Sequence, residues 1–460
     1  MKKLQLTAMF LILSASAAMA QTLTEKEISS FKNDYNNYQN AKAIQNVVMS
    51  NATLKELVHD HSVTNSVDHN FKYRVDVKGI TNQQSSGRCW MFTSYNVLRP
   101  AAIKKFNVNG SFHFSKNYLY FYDMLEKANL FLENIIATTG KSITDEEVVF
   151  YLKNPVDDGG VWNLFYNLAE KYGVVPADVM PETIHSNNTD QLAALLNELL
   201  RGGAYKIRTM ADTKAKESAL REQKLETMSQ VYRLLAFCLG EPPTQFTWRY
   251  TNNAGEDKTL TTTPMEFYKS IIPENYNPQQ YIMIMNDPTR EYYKVYEIAN
   301  YRNSIEGINW IYLNLPNDEI KASALASIKA NQAMYASCDV AKQMNITDGV
   351  LALGQYDYQG LLGIDLTSMD KKARILTRQS GSSHAMLLMA CDTDENDKPV
   401  KWQFENSWGP KGHNGYLTFT DGWFDEYMFR IVINKQFLSE KAQKAATQKP
   451  ELLPAWDYMF

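Results

Sequence analysis

The chain has 460 residues, 44% hydrophobic and 21% charged, the composition of an ordinary globular protein with room for more than one packed substructure. Disordered and fibrous classes are excluded. Its formal net charge of −4 speaks against non-specific nucleic-acid binding, so no nucleic-acid partner is expected.

Residues 1–20 contain Lys2 and Lys3, a short apolar run over residues 9–13, and Ala18-Met19-Ala20 before Gln21. This is the layout of a signal peptide cleaved after Ala20. The apolar run falls short of the roughly 20 residues of a membrane span, so the expected location is periplasmic or secreted, with no membrane partner. Cleavage removes two lysines and makes the mature chain more acidic.

Residues 21–70 form a polar, helically patterned segment. His59 and His61 fall within it, but no third ligand of the usual type is placed to complete a metal site. Residues 71–180 form a helical lobe. SSGRCWMFTSYNVLR, from Ser85 onward, reads as a turn and cap (Ser85, Ser86, Gly87) leading into a helix on which Trp90, Met91, Tyr95 and Leu98 recur at helical spacing. Residues 115–136 are a helix rich in aromatics, with core packing as its role. In NPVDDGGVWNLFYNLAEKYGVVP, Gly159 and Gly160 allow close backbone approach before helical periodicity resumes. Residues 181–345 read as a helix-dominated insertion, with KAKESALREQKLETMSQVYRLLAFCLG its clearest amphipathic stretch. Residues 346–445 form a β-rich lobe, marked by HAMLLMACD, VKWQFENSW, GYLTFT and RIVIN. Residues 446–460 form an extended tail.

The four cysteines, Cys89, Cys238, Cys338 and Cys391, stand far apart with no C-x-x-C pair, giving neither a zinc pattern nor a disulfide framework. No metal and no cofactor is expected. Cys238, Cys338 and Cys391 have apolar neighbours and read as buried thiols. Cys89 has two readings: a packing residue, as free cysteines usually are, or a nucleophile whose thiol ionises more easily at the positive end of a helix.

A nucleophilic cysteine needs a base, a group to orient that base, and donors for the oxyanion. Gln83 precedes Cys89 closely enough for its amide to turn back toward the sulfur. His384 lies at the start of an apolar strand, and Asn406, in QFENSWG, lies where a neighbouring strand could bring it alongside. Each alone is an ordinary loop or turn residue. Together they make a full catalytic set.

QQSSGRCWMFTSYNVLR, DDGGVWNLFYNLAEKYGVVP, CLGEPPTQFTWRY, TTPMEFY, IMNDP, SIKANQAMYASCDV, SSHAMLLMACD, KWQFENSWG and LLPAWD, in that order, resemble the bleomycin hydrolase and bacterial aminopeptidase C family, a branch of the papain-like cysteine peptidases. The resemblance runs from about residue 70 to the C-terminus. It implies an α+β, papain-like two-lobed fold, a helical lobe plus a β-rich lobe, with a large helical insertion. It also implies Cys89 as nucleophile, His384 as general base and then acid, Asn406 orienting the imidazole, Trp408 shielding that hydrogen bond, and Gln83 with the Cys89 backbone N–H as oxyanion donors. Gly160 matches a glycine whose backbone pairs with extended substrate.

The expected activity is peptide hydrolysis through a thioester acyl-enzyme, from the N-terminal end of peptides. The alternatives are an endopeptidase with an unblocked cleft, and a peptide-binding protein without hydrolysis. The resemblance further implies a six-subunit ring and a C-terminal carboxylate, here that of Phe460, that holds the substrate's free amine. Tyr458-Met459-Phe460 replaces a longer family ending. A tail about three residues shorter retreats by roughly 10 Å, leaving room for release of a di- or tripeptide.

Overall fold

The computed structural model describes residues 22–77, 79–272 and 278–459. The leader at residues 1–20 and the expected amine anchor Phe460 lie outside the described residues. The described residues up to His59 form one unit and those from Asp60 onward another.

In the first unit, Thr24 and Thr53 each begin a helix, Glu25–Asn37 and Leu54–Leu57. The side chain of each threonine accepts the N3 backbone N–H, and Glu27 or Glu56 reaches back to the threonine's own N–H. These reciprocal bonds satisfy donors that a helix start leaves open. Between them lies the helix Ala41–Ser50.

The second unit is built on a large sheet. Its strands, in chain order, are β1 (Tyr73–Arg74), β2 (Phe246–Thr251), β3 (Asp257–Thr262), β4 (Tyr281–Met285), β5 (Lys294–Ile298), β6 (Trp310–Asn314), β7 (Met334–Cys338), β8 (Met344–Asn345), β9 (Val350–Leu351), β10 (His384–Thr393), β11 (Pro399–Glu405), β12 (Tyr416–Thr420), β13 (Met428–Asn434) and β14 (Glu451–Leu453). β2 and β3 form a separate hairpin. The others join in the order β14-β5-β6-β4-β13-β7-β10-β11-β12-β9-β8, with β1 added beside β10. β10 is buried along His384–Cys391, which explains its near-continuous apolar run.

The sheet separates two cores. One face packs on the helices Cys89–Phe106, Lys116–Ala137 and Trp162–Tyr172, through Trp90, Tyr95, Phe121, Phe165 and Ala385. The opposite face carries Met386, Phe404 and Ile431 and is covered by the helices Asn317–Lys329 and Asp421–Tyr427.

The 181–345 segment departs in part from its helical expectation. It is helical through the antiparallel pair Asp190–Asp212 and Glu217–Leu239, and then supplies the β2–β3 hairpin and strands β4 to β7. Short apolar runs such as YIMIM carry too few residues for periodicity to separate strand from helix. β7 lies directly against β10, so this segment forms part of the site's own sheet.

Candidate active site

Cys89 is the first residue of the helix Cys89–Phe106. The N-cap is Arg88, which makes no side-chain cap bond; the expected cap at Ser85–Gly87 is corrected to a turn just before it. Arg88 is fully buried, pairs with Glu182 at 3.0 Å, and lies over the rings of Phe92 and Tyr120. The Met91 and Phe92 N–H groups close the first turn on the Arg88 carbonyl, leaving the Cys89 N–H outside the helical ladder as one of the open donors of a helix start.

The turn before Cys89 is clamped from both sides. The Gln83 N–H donates to the Ser407 carbonyl at 2.8 Å and the Gly409 N–H to the Thr81 carbonyl at 3.0 Å, tying it to the loop after β11. On its other side Ser85 exchanges backbone bonds with Asn187 and Thr189. Asp158 closes the clamp: its carboxylate accepts the Gly87 N–H at 2.5 Å and the Thr189 hydroxyl. A Cβ at Gly87 would stand 2.3 Å from Asp158 Oδ1, so a side chain there would displace the carboxylate that accepts the Gly87 N–H.

Gln83 is buried with its amide orientation fixed. Nε2 donates to the Ser86 carbonyl at 2.6 Å, and Oε1 accepts from the Ser407 hydroxyl at 2.6 Å. A primary amide has two N–H bonds, so one remains beyond the Ser86 contact.

His384 opens β10 and Asn406 follows β11. His384 Nε2 lies 2.8 Å from Asn406 Oδ1, which also accepts the Ser407 backbone N–H at 2.8 Å. That backbone donor identifies the facing Asn406 atom as the oxygen, so His384 Nε2 carries the hydrogen and the lone pair of the neutral ring is on Nδ1. Trp408 stacks on the imidazole, centroids 4.6 Å apart. The next residue of β10, Ala385, presents its backbone N–H to the Cys89 sulfur.

Burial pushes the Cys89 thiol up to about 11, against the backbone N–H groups of Ala385, Trp90 and Cys89 itself, which favour the thiolate. Burial likewise pushes the His384 imidazole down to about 4, against the Asn406 bond, which favours the charged ring. The helix-end effect expected from the sequence is therefore opposed by a larger desolvation cost. Moving the sulfur proton to Nδ1 charges both groups without changing net charge, so their mutual attraction offsets part of that cost.

Gly160 lies against the Cys89 helix: an added Cβ would stand 2.7 Å from Trp90 Cε2 and 2.8 Å from Leu164 Cδ1. Lys127 supports this loop by donating to the Asp157 and Gly159 carbonyls at 2.8 and 2.7 Å while pairing with buried Asp123. Arg99, in the Cys89 helix, pairs at 3.0 Å with Glu405, the residue before Asn406, and both are buried. Cys338 and Cys391 are buried as expected, Cys238 is half-buried, and all four cysteines are free. Among the described residues, no group of three or more His, Cys, Asp or Glu is arranged to hold a metal, and no helix is long and apolar enough to cross a membrane.

Sequence reasoning missed Asp158, Ser407, Arg99–Glu405 and Lys127. Asp158 and the pair Glu405 and Ser407 stood inside the DDGG and QFENSWG motifs, and only the three-dimensional pairing exposes their roles.

A cysteine at a helix start, facing a strand that carries a histidine held by asparagine, defines the site of a papain-like cysteine peptidase. The Peptidase C1-like family model matches residues 22–460, and the chain belongs to that family. It is 36% identical over 401 residues to bleomycin hydrolase of Mus musculus, covering 85% of this chain and 88% of that one. It is also 36% identical over 430 residues to aminopeptidase C of Streptococcus thermophilus, covering 91% and 95%. The crystal structure of PepW from Lactobacillus rhamnosis superposes with a TM-score of 0.91 at 33% identity, covering 96% of this chain and 99% of that one.

Proposed function

We propose that this cysteine peptidase is an N-terminus-directed exopeptidase, with Cys89 as nucleophile, His384 as base and then acid, Asn406 as the orienting group, and Gln83 and the Cys89 N–H as oxyanion donors. The observation that supports the directionality is the C-terminal segment: Met459 is only 3% exposed and belongs to the same apolar core against which Cys89 packs.

In this reading His384 Nδ1 takes the sulfur proton as the thiolate attacks the scissile carbonyl. The second Gln83 Nε2–H and the Cys89 N–H receive the oxyanion, His384 returns the proton to the leaving amine, and water then releases the acyl group. Gly160, packed too closely on Trp90 and Leu164 to carry a side chain, supplies backbone bonding to an extended substrate. In this reading the fragment released is a di- or tripeptide in place of, or along with, single residues.

Peptides with free and acetylated N-termini, hydrolysed by residues 21–460 under reducing conditions with every product weighed, test this. Cleavage is expected only from free-amine peptides. Equal cleavage of acetylated peptides overturns it in favour of an endopeptidase, and single amino acids as sole products overturn the longer register.

The depressed His384 value sets a pH expectation. The imidazole is neutral and able to accept a proton down to about pH 4, so kcat/KM is expected to fall on acidification with a midpoint near 4 rather than near 6.5. The same buried, neutral ring contributes stability that is full above pH 6.5 and lost as pH falls toward 4. A pH–rate profile alongside urea titrations checks both; an acid limb near 6.5 overturns the first.

We further propose export through residues 1–20, tested by whether the mature protein from its native source begins at Gln21, and assembly as a homo-hexamer. Exposed Ile184, Tyr205 and Phe237, at 84%, 74% and 82%, support a covered surface on the helical segment. Light scattering decides the assembly, a monomeric mass overturning it.

A further inference from the structure

The C-terminal segment is held at successive points by the sheet. The Ala299 N–H donates to the Leu453 carbonyl at 3.0 Å as β14 ends. Arg290 pairs with Asp457 and stands 4.6 Å from the Tyr458 ring, and Thr289 bonds the Tyr458 hydroxyl. Arg430, on β13, donates through Nη2 to the Met459 carbonyl at 3.1 Å.

Arg430 differs from Arg290 in its surroundings. It is 6% exposed, no carboxylate among the described residues pairs with it, and its Nε has no hydrogen-bond partner among them. The guanidinium lies 4.0 Å from the centre of the Trp310 ring. An unpaired buried guanidinium is costly to keep, and packing alone would be met by an apolar side chain.

Its place in the sheet relates it to the nucleophile. Arg430 on β13 is opposite Ser337 on β7, which is opposite Ala385 on β10. Residues directly opposite share a face, and two strand spacings amount to roughly 10 Å. Ala385 is the residue whose N–H faces the Cys89 sulfur, and Tyr301 and Tyr335 lie within electrostatic reach of both Cys89 and Arg430. Arg430 therefore grips Met459 on the face of the sheet against which the Cys89 helix packs.

We propose that Arg430 is a positioning residue that sets the register of the C-terminus against Cys89, and through it the length of the fragment released. The proposal rests on the exopeptidase reading above. Arg430 touches neither the scissile bond nor the sulfur; it acts through Met459.

The test compares the unaltered protein with Arg430→Met, Arg430→Lys and a deletion of Tyr458–Phe460, using one peptide with a free and an acetylated N-terminus and weighing the products. The expected result is a fixed pattern of fragment lengths from the unaltered protein. Arg430→Met should add lengths absent from that pattern, with at least a tenfold rise in KM for the free-amine peptide and new cleavage of the acetylated one. Arg430→Lys, which keeps a donor for the Met459 carbonyl, should recover the original pattern.

A folded Arg430→Met protein with unchanged fragment length and unchanged preference for the free amine would overturn the proposal, as would failure of the lysine variant to restore the register lost in Arg430→Met. If Arg430→Met does not fold, the deletion decides: the same fragment length without the tail is fatal to it. Equal cleavage of both peptides by the unaltered protein is a different failure, which removes the exopeptidase reading itself and this proposal with it.

Discussion

Cys89→Ala in the full-length chain is expected to lower kcat by about 10⁶-fold, to the level left by binding and the oxyanion donors alone. The sulfur begins a helix, and the N–H groups of Cys89, Trp90 and, from β10, Ala385 favour its thiolate. No other cysteine shares that setting: Cys338 and Cys391 are buried in the opposite core, and Cys238 is half-buried in a different helix. Trapping the acyl-enzyme by acid quench and mapping the adduct checks the assignment. A thioester on any residue but Cys89, or turnover by the alanine variant within a hundredfold of the original, would remove Cys89 from this role.

Glu405→Ala is expected to destabilise the protein by about 3–5 kcal/mol, the loss typical of stranding one member of a buried ion pair. Arg99 would be left without its carboxylate at the junction between the Cys89 helix and the strand end that carries Asn406. Burial raises the Glu405 carboxyl while Arg99 opposes the rise, so the pair is held against a desolvation cost. Replacing both members, Arg99→Met with Glu405→Leu, should recover most of the stability. It need not recover activity, because the bond that fixes the helix against Asn406 is gone. Urea denaturation of the single and double variants measures the coupling, and additive losses would show that the two residues do not act as a unit.

The residues of the candidate site were easier to single out in the sequence than the strands that carry some of their neighbours. Cys89, His384 and Asn406 were visible because each sits at an element boundary inside a recognisable motif, and boundaries carry turn and cap signals that survive in one dimension. Gln83 was visible as an amide, but not the Ser407 hydroxyl that orients it, since nothing in sequence spacing places residues 83 and 407 side by side. The strands at Tyr281–Met285 and Trp310–Asn314 were read into a helical segment because four or five apolar residues fit either period. The thiol's ionisation was judged from the helix end alone, and burial, the larger influence, cannot be read before the chain is packed.

The position of β13 has a consequence for biosynthesis. This strand, Met428–Asn434, is made near the end of the chain yet lies in the interior of the sheet, between β4 and β7. Until it leaves the ribosome, β4 and β7 each present an unpaired, largely apolar edge, the feature that invites wrong partners. A nascent chain that lacks β13 is thus prone to aggregation, and the synthesising cell must shelter it until that strand is made.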